Sequence, residues 1–540
     1  MMSKHSLVIV GSGPAGVSAA FPLVHAGCDV LMLDAGTEGT LNPASTGNLF
    51  DFRQQTASMQ AEFFYGKDRQ ALLAAKGQSP KLRVPHYHYV YRDFHEKYGI
   101  STENFHVTGS LAKGGLSNAW GAVCYTYSQQ EMQLPLEAYQ ALLQSYQRIA
   151  ARMGISGPAA DDLSAYFDHT VKTERPLTLH PTCQHLLANY RTQTFSAFKL
   201  GQPRSAVLSE KKGDRNECRL NNRCLWGCDA HSIYNAQFDV VQLQKHTHFK
   251  YANRLFLQKI SQSAQGYELS CQHLITGERQ TLTAETLILA AGTIGSTALV
   301  LDFMSAFHQP IRLQSNPCFA LAFVMPKFLG SSITPKSFAM GQLGFSAHLA
   351  QHALTAMGTF YSPEALLANE LIGFMPFSKK GAMEFSKYLM PAMLLANVFF
   401  PGEISAHRME LVQTQARAQL KIYGGVPSHF ERAKKALLAL LINALRRCGA
   451  WYIPFSCKVP LWGSDIHYAA TLPMSTQTQP LTVDHDGQLV GAENFYVVDG
   501  SILPTLSAKN LTFTIMANAD RIGRAIALRK KMRDEASGQA

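Results

Sequence analysis

Long apolar runs are missing from this 540-residue chain. A bilayer span needs roughly 20 consecutive apolar residues. The longest apolar zone, Tyr388 to Phe400, is broken at Pro391, so no membrane crossing is expected. The opening MMSKHSLVIVGSG holds no apolar stretch ahead of the glycine turn except one strand's worth. That leaves no room for a cleaved leader and makes the cytoplasm the expected location. Charge is sparse at 16% Asp, Glu, Lys and Arg, and acids are the scarcer sign, 38 against 49 bases, for a net charge of +11. A surplus of that sign suits anionic cofactors, acidic substrates, nucleic acid or a membrane surface and by itself chooses none. No internal repeat occurs, so no array of like units is expected. Ten scattered cysteines in a chain of this expected location argue for reduced thiols and against a disulfide framework. One cluster of three stands apart.

What is present begins with core-forming side chains, 46% of the residues. At this length two or three domains are expected, and they need not be contiguous. Ser6 to Val10 is a short apolar run with β-branched residues. It leads into Gly11-Ser12-Gly13-Pro14-Ala15-Gly16, and a helical stretch follows to about Gly27. Strand, glycine turn and helix in that order make a dinucleotide-binding site. Gly11 allows the tight turn, Gly13 lets a pyrophosphate reach the backbone, and Gly16 lets the helix pack on the strand, its N-terminus facing the phosphates. Asp29 to Asp34 reads as the second strand, and Asp34, about 20 residues on, is placed to bind the adenosine ribose. Pro22 is expected to kink the last turn of the helix. A Rossmann-like α/β unit is the fold expected at this end.

Three further stretches resemble those of the glucose-methanol-choline (GMC) flavin oxidoreductases, in that family's order. Gly109 to Ala122, GSLAKGGLSNAWGA, resembles its second flavin segment, with Gly114, Gly115, Ser117 and Asn118 over the flavin and pyrophosphate. Thr286 to Gly295, TLILAAGTIG, resembles the strand that returns to the dinucleotide sheet, with Ala291 and Gly292 at its end. Asn494 to Gly523, NFYVVDGSILPTLSAKNLTFTIMANADRIG, resembles the closing segment, in which Asp499 and Gly500 would meet the cofactor. With the glycine turn, these segments imply FAD held in an extended form.

The resemblance also implies a chemistry. His467, in His467-Tyr-Ala-Ala-Thr-Leu-Pro-Met-Ser, stands where the family places a base facing the flavin. Asn510 stands at its second polar position. An imidazole is suited to taking a hydroxyl proton near neutrality while the carbon-bound hydrogen leaves as hydride. Ala470 and Ser475 replace family glycines, and Leu511 replaces a proline, so the local backbone is expected to differ. Asn510 could instead cap the helix that follows. His485 is read as an ordinary turn residue.

Cys218, Cys224 and Cys228, with gaps of five and three residues, resemble the run of the GMC sugar dehydrogenases that carry a three-iron cluster. Packed thiols are the competing reading and a redox disulfide a third; Asp229 stands where those enzymes have proline. Zinc is disfavoured by three ligands without a histidine at finger spacing.

The whole is expected to be α/β (α+β overall), a Rossmann-like FAD-binding domain of residues 1–129, 205–304 and 455–540 interleaved with a substrate domain of residues 130–204 and 305–454. The substrate domain is expected on an antiparallel sheet with flanking helices. Phe430 to Cys448 is an amphipathic helix with basic ends, expected to pack in the core through Leu437, Leu438, Leu441 and Leu445 in preference to meeting a membrane surface. The expected function is FAD-dependent oxidation of an alcohol, with electrons passed to a quinone, a protein or a cluster. An alcohol oxidase using oxygen, a flavoprotein with structural or non-redox use of FAD, and an electron-relaying subunit are the alternatives. No nucleic-acid partner is expected.

Overall fold

A computed structural model describes residues 3–39, 47–54, 57–69, 71, 83–366, 377–415, 418–425, 429–536 and 538. The N-terminal run forms the strand Ser3–Val10, and Leu7 to Val10 are buried. This is the pattern of a central parallel strand covered on both faces. It lies between Val30–Leu33 and Arg279–Leu289, parallel to both. Phe249–Ala252 extends the sheet beyond Val30–Leu33, again parallel. Arg279–Leu289 is long enough to take two partners on its other edge. Its first half pairs antiparallel with Gly266–His273, which in turn pairs with Leu255–Ser263. Its last residues, Leu287 to Leu289, pair parallel with the late strand Phe495–Val497. The chain's two ends thus meet in one seven-stranded sheet.

The helix Pro14–His25 follows the first strand, keeps Pro22 inside its last turn, and packs on the C-terminal helix Thr512–Ala536, which also meets Leu136–Met153.

A second sheet, of six strands, is antiparallel throughout. Its order is Trp451–Tyr452, Cys318–Val324, Met393–Phe399, Leu354–Tyr361, Leu343–Leu349 and Phe198–Gly201. Residues alternate between its faces, as the period of a strand requires. Leu394, Ala396 and Val398 go into a core shared with the helices Pro181–Tyr190 and Phe430–Arg447. Leu437, Leu441 and Leu445 are fully buried in that core, with Leu438 partly so. The other face of the sheet turns towards the first sheet and bounds a large cavity. A smaller mixed sheet, Ile311–Leu313, His407–Gln413, Ala418–Tyr423 and Ile100–Glu103, lies to the side.

The zone Tyr388 to Phe400 is a helix end, a short turn and a core strand. Among the described residues no helix is long and apolar enough to cross a membrane.

Candidate functional site

One cavity of about 760 Å³ runs from the glycine turn to the six-stranded sheet. At its first end Gly11 has φ +103° and its Cα faces the Ala290 carbonyl, so an added Cβ would lie 2.4 Å from that oxygen. Gly16 is tighter still, since its Cβ would meet the Gly11 carbonyl at 1.9 Å. Both glycines are there because backbones touch. Gly13 differs: a Cβ on it would find no atom within 4 Å. It caps the helix Pro14–His25 without any side-chain hydrogen bond, and Gly13, Pro14 and Ala15 line the cavity. The unpaired N–H groups of a helix start therefore border open space, which suits an anion.

Asp34 lies beside this turn. Its carboxylate accepts from the Tyr251 hydroxyl at 2.7 Å and from the Ser12 hydroxyl, and burial pushes its pKa up. Ser12 Oγ in turn accepts the Gly114 N–H at 2.9 Å, which ties the second glycine loop to the first. Gly114 and Gly115 have φ +82° and +59°, and a Cβ on Gly115 would lie 3.3 Å from Gly13 Cα. Gly115 and Ser117 line the cavity, while Gly16, Gly114 and Asn118 do not. Asn118 spends its polar atoms inward, donating to the Gly115 carbonyl at 2.7 Å and accepting from Asn235 at 2.6 Å. Ala291 and Gly292, beyond the end of Arg279–Leu289, and Asp499 and Gly500, beyond the end of Phe495–Val497, border the same space. Ligands of such sheets bind at these carboxyl ends. The Asp499 carboxylate accepts from the Ser501 N–H at 3.0 Å and the Ser296 hydroxyl at 2.5 Å; burial pushes its pKa up as well.

His467 and Asn510 reach the cavity from the far side. The His467 ring packs against Phe399, centroids 5.2 Å apart. Its Nδ1 is 2.9 Å from Asn316 Oδ1. Asn316 is buried, and its amide nitrogen donates to the Phe400 carbonyl at 2.7 Å and the Ser507 carbonyl at 2.9 Å. Both amide hydrogens are then used, so Oδ1 is an acceptor and His467 must carry its proton on Nδ1. Nε2 is left with a lone pair. Burial lowers the His467 pKa to about 4, which keeps the ring neutral near pH 7. Asp465 Oδ2 accepts the backbone N–H of His467 at 3.1 Å and of Asn316 at 2.8 Å, and burial raises that carboxyl to about 7.

Asn510 precedes the helix Thr512–Ala536 and makes no hydrogen bond with the described residues. The loop that carries it is held on both sides. Ser507 is bound by Asn316, and Lys509 Nζ is 2.6 Å from Glu131 Oε2 and donates to the Thr126 carbonyl at 2.8 Å.

Asn316 and Asp465 are functional candidates that motif reading missed. Asp465 lies two residues before His467 and could have been found from that spacing. Asn316 lies some 150 residues away on no motif, and only folding brings it to the imidazole.

Ala470 has φ +60°, a left-handed conformation that costs a residue with a Cβ about 1–2 kcal/mol. It occupies the place where the resembled motif has glycine. Ala470→Gly is expected to raise stability by about 0.5–1 kcal/mol after the added chain entropy is subtracted. A thermal melt checks this, and an unchanged or lower midpoint would refute it.

Among the described residues no group of three or more His, Cys, Asp and Glu side chains is arranged to hold a metal ion. Cys224 is buried with its sulfur accepting the Ala339 N–H at 3.4 Å, and Cys228 Sγ lies 3.1 Å from the Ser232 hydroxyl. Burial raises the Cys218 thiol to about 11. Cys224 and Cys228 are thus engaged by protein groups.

Residues 459–519, the stretch with His467, Asp499 and Asn510, match the family model for the GMC oxidoreductase C-terminal domain. Over that stretch the chain is similar to the GMC oxidoreductases. A GMC-type oxidoreductase of Sinorhizobium fredii, uncharacterized by its name, is 39% identical over 75 residues, 14% of this chain and only 15% of that relative's length. Across nearly the whole chain the fold is that of pyridoxine 4-oxidase from Mesorbium loti, with a TM-score of 0.58 at 14% identity, covering 96% of this chain and 99% of that one. The GMC match therefore falls on the cavity wall that holds the imidazole.

Proposed function

We propose that this chain is an FAD-dependent oxidoreductase that oxidises an alcohol to a carbonyl, with His467 Nε2 taking the hydroxyl proton. The observation that carries the reading is the fixed tautomer of His467, a neutral imidazole with its lone pair on the cavity side and its other nitrogen donating to Asn316. FAD, when bound, supplies the acceptor for the hydride leaving the carbon. The residues fit it. The helix start at Gly13 would take the pyrophosphate, Asp34 the ribose and Asp499 the far end, and the glycine turns leave the backbone bare where it must approach.

The chain's own groups do the rest. Asn510, otherwise unengaged, holds the substrate oxygen by hydrogen bonding. As His467 accepts the proton, Asn316 Oδ1 stabilises the positive ring through Nδ1–H. That help offsets the reluctance of a base whose resting pKa is low. The seven-stranded sheet draws every strand from residues 1–129, 205–304 and 455–540, and all six strands of the antiparallel sheet come wholly from 130–204 and 305–454. This supports a discontinuous FAD unit and a substrate unit with those bounds. Electrons pass on to an acceptor other than NAD, a quinone or protein partner, in the cytoplasm. A second reading, transfer to oxygen, draws on the fold neighbour's name as an oxidase.

Anaerobic mixing of the yellow protein with a panel of alcohols tests the proposal, since bleaching of the flavin is expected. Admitting oxygen or a quinone then identifies the acceptor. No bleaching by any alcohol would move the reading to non-redox use of FAD. The pH dependence has a definite sign. Neutral imidazole is the active form and exists above its pKa, so flavin reduction should persist down to about pH 5 and be lost as pH falls through about 4. A limb near 6.5, the ordinary histidine value, would contradict a desolvated base.

Gly13→Ala separates fold from cofactor. Its Cβ enters open space, so the melting temperature of the FAD-free protein should hold, while FAD affinity falls by about tenfold or more, ~1.4 kcal/mol. Unchanged affinity would remove the pyrophosphate from this turn.

A further inference from the structure

The six-stranded sheet presents to the cavity a face that the chemistry above does not use. Phe399, against the His467 ring, and Asn397, two residues earlier, point the same way, and both line the cavity. The register places Ala320 and Thr359 on either side of Asn397. Tyr361 lies diagonally beyond and donates its hydroxyl to Asn397 Oδ1 at 3.3 Å. In this arrangement the amide oxygen faces Tyr361. The amide NH₂ donates to none of the described residues, and it borders the cavity on a strand whose alternate residues, Ala396 and Val398, are locked in the core. The rest of the wall on this side mixes the apolar Trp120, Leu225, Met340, Leu366 and Phe399 with the polar Thr359, Tyr361 and Lys458.

From these observations, and resting on the alcohol-oxidation reading, we propose that Asn397 is a specificity-determining residue that donates to a second oxygen of the substrate. The substrate class is then an apolar or aromatic alcohol carrying one hydrogen-bond acceptor, such as an ether or carbonyl, at some distance from the reacting carbon. Two residues of strand set the spacing, since Asn397 lies roughly 7 Å along from Phe399 beside the base.

Two isosteric probes isolate the contact, 4-methoxybenzyl alcohol and 4-ethylbenzyl alcohol, which differ by an oxygen for a methylene at the far end of the ring. One hydrogen bond is worth about 0.5–1.5 kcal/mol. The wild-type holoenzyme should therefore prefer the methoxy compound by roughly 3- to 10-fold in kcat/KM, chiefly through KM. In Asn397→Leu, which keeps the volume and removes the donor, the ratio should fall to near one while kcat with the ethyl compound is retained. Thr359→Val, which leaves the amide in place, should keep the preference. Titration calorimetry under argon on the holoenzyme with its flavin already reduced measures the same ratio as affinities without turnover. Equal affinities in the wild type, or a preference that survives Asn397→Leu, overturn the inference whether or not either alcohol is oxidised. His467→Ala tests the underlying reading separately. Oxidation retained in that variant sinks the proposed base and leaves the binding ratio standing on its own.

Discussion

His467→Ala should bind FAD as the wild type does and reduce it with an alcohol roughly 10²- to 10⁴-fold more slowly, the range that a positioned general base supplies. The imidazole is not a support for the proposed cofactor cradle, whose first glycine turn, Asp34 and Asp499 follow the ends of the strands Ser3–Val10, Val30–Leu33 and Phe495–Val497. Removing it therefore leaves the yellow protein intact and deletes the only proton acceptor assigned to the reaction. Stopped-flow anaerobic reduction measures the chemical step directly. Undiminished reduction would sink the assignment of the base, and loss of FAD from the variant would show that His467 serves the cofactor instead. His467→Gln, a neutral group of similar reach that cannot take the proton, should behave like the alanine variant.

Asn316 should be the second most sensitive position, although it need not touch the substrate. Its Oδ1 is the acceptor for Nδ1–H of His467 at 2.9 Å, and it receives a charge-assisted hydrogen bond once the ring is protonated, worth about 1.5–3 kcal/mol. Asn316→Ala should accordingly slow flavin reduction by roughly 10- to 100-fold, with FAD still bound. Lost donors to the Phe400 and Ser507 carbonyls will also lower stability, so the melting temperature must be followed alongside. Asn316→Asp gives a readout that loosening alone would not move. A carboxylate against Nδ1 favours the imidazolium and raises the His467 pKa above about 4. Since the neutral ring is the base, activity in this variant should be lost at a higher pH, with the acid limb displaced upward by about one unit or more. Asp465, already beside the His467 backbone, is present in both proteins and does not confound the comparison. An acid limb at the wild-type position would show that Asn316 does not govern the imidazole.

The parts legible beforehand are those whose physics is local. Gly11, Gly13 and Gly16 follow a strand and open a helix because a backbone-lined turn needs residues without Cβ, and that requirement is written in consecutive residues. Apolar periodicity likewise announced the helix Phe430–Arg447, whose Leu437, Leu441 and Leu445 are buried as their spacing implies. The cysteine run shows the limit of such reading. Cys218, Cys224 and Cys228 are close along the chain, but the separate partners of Cys224 and Cys228 and the raised Cys218 thiol depend on what packs around them. Ala470 marks another limit, since nothing in its neighbours along the chain announces the left-handed conformation it holds at a cost.

By itself the sequence determined the glycine turn between strand and helix, the order of the GMC-like segments and the choice of the candidate base. The tertiary structure alone decided which nitrogen of that base is free. A tautomer is set by the hydrogen-bond partner of the other nitrogen, and Asn316 reaches His467 only because the strands Cys318–Val324 and Met393–Phe399 pair and the loop at Ser507 closes over them. The same holds for Asn397, whose turn towards the cavity follows from the parity of a strand whose other face is buried. Long-range pairing places these groups, and no local pattern of residues encodes it.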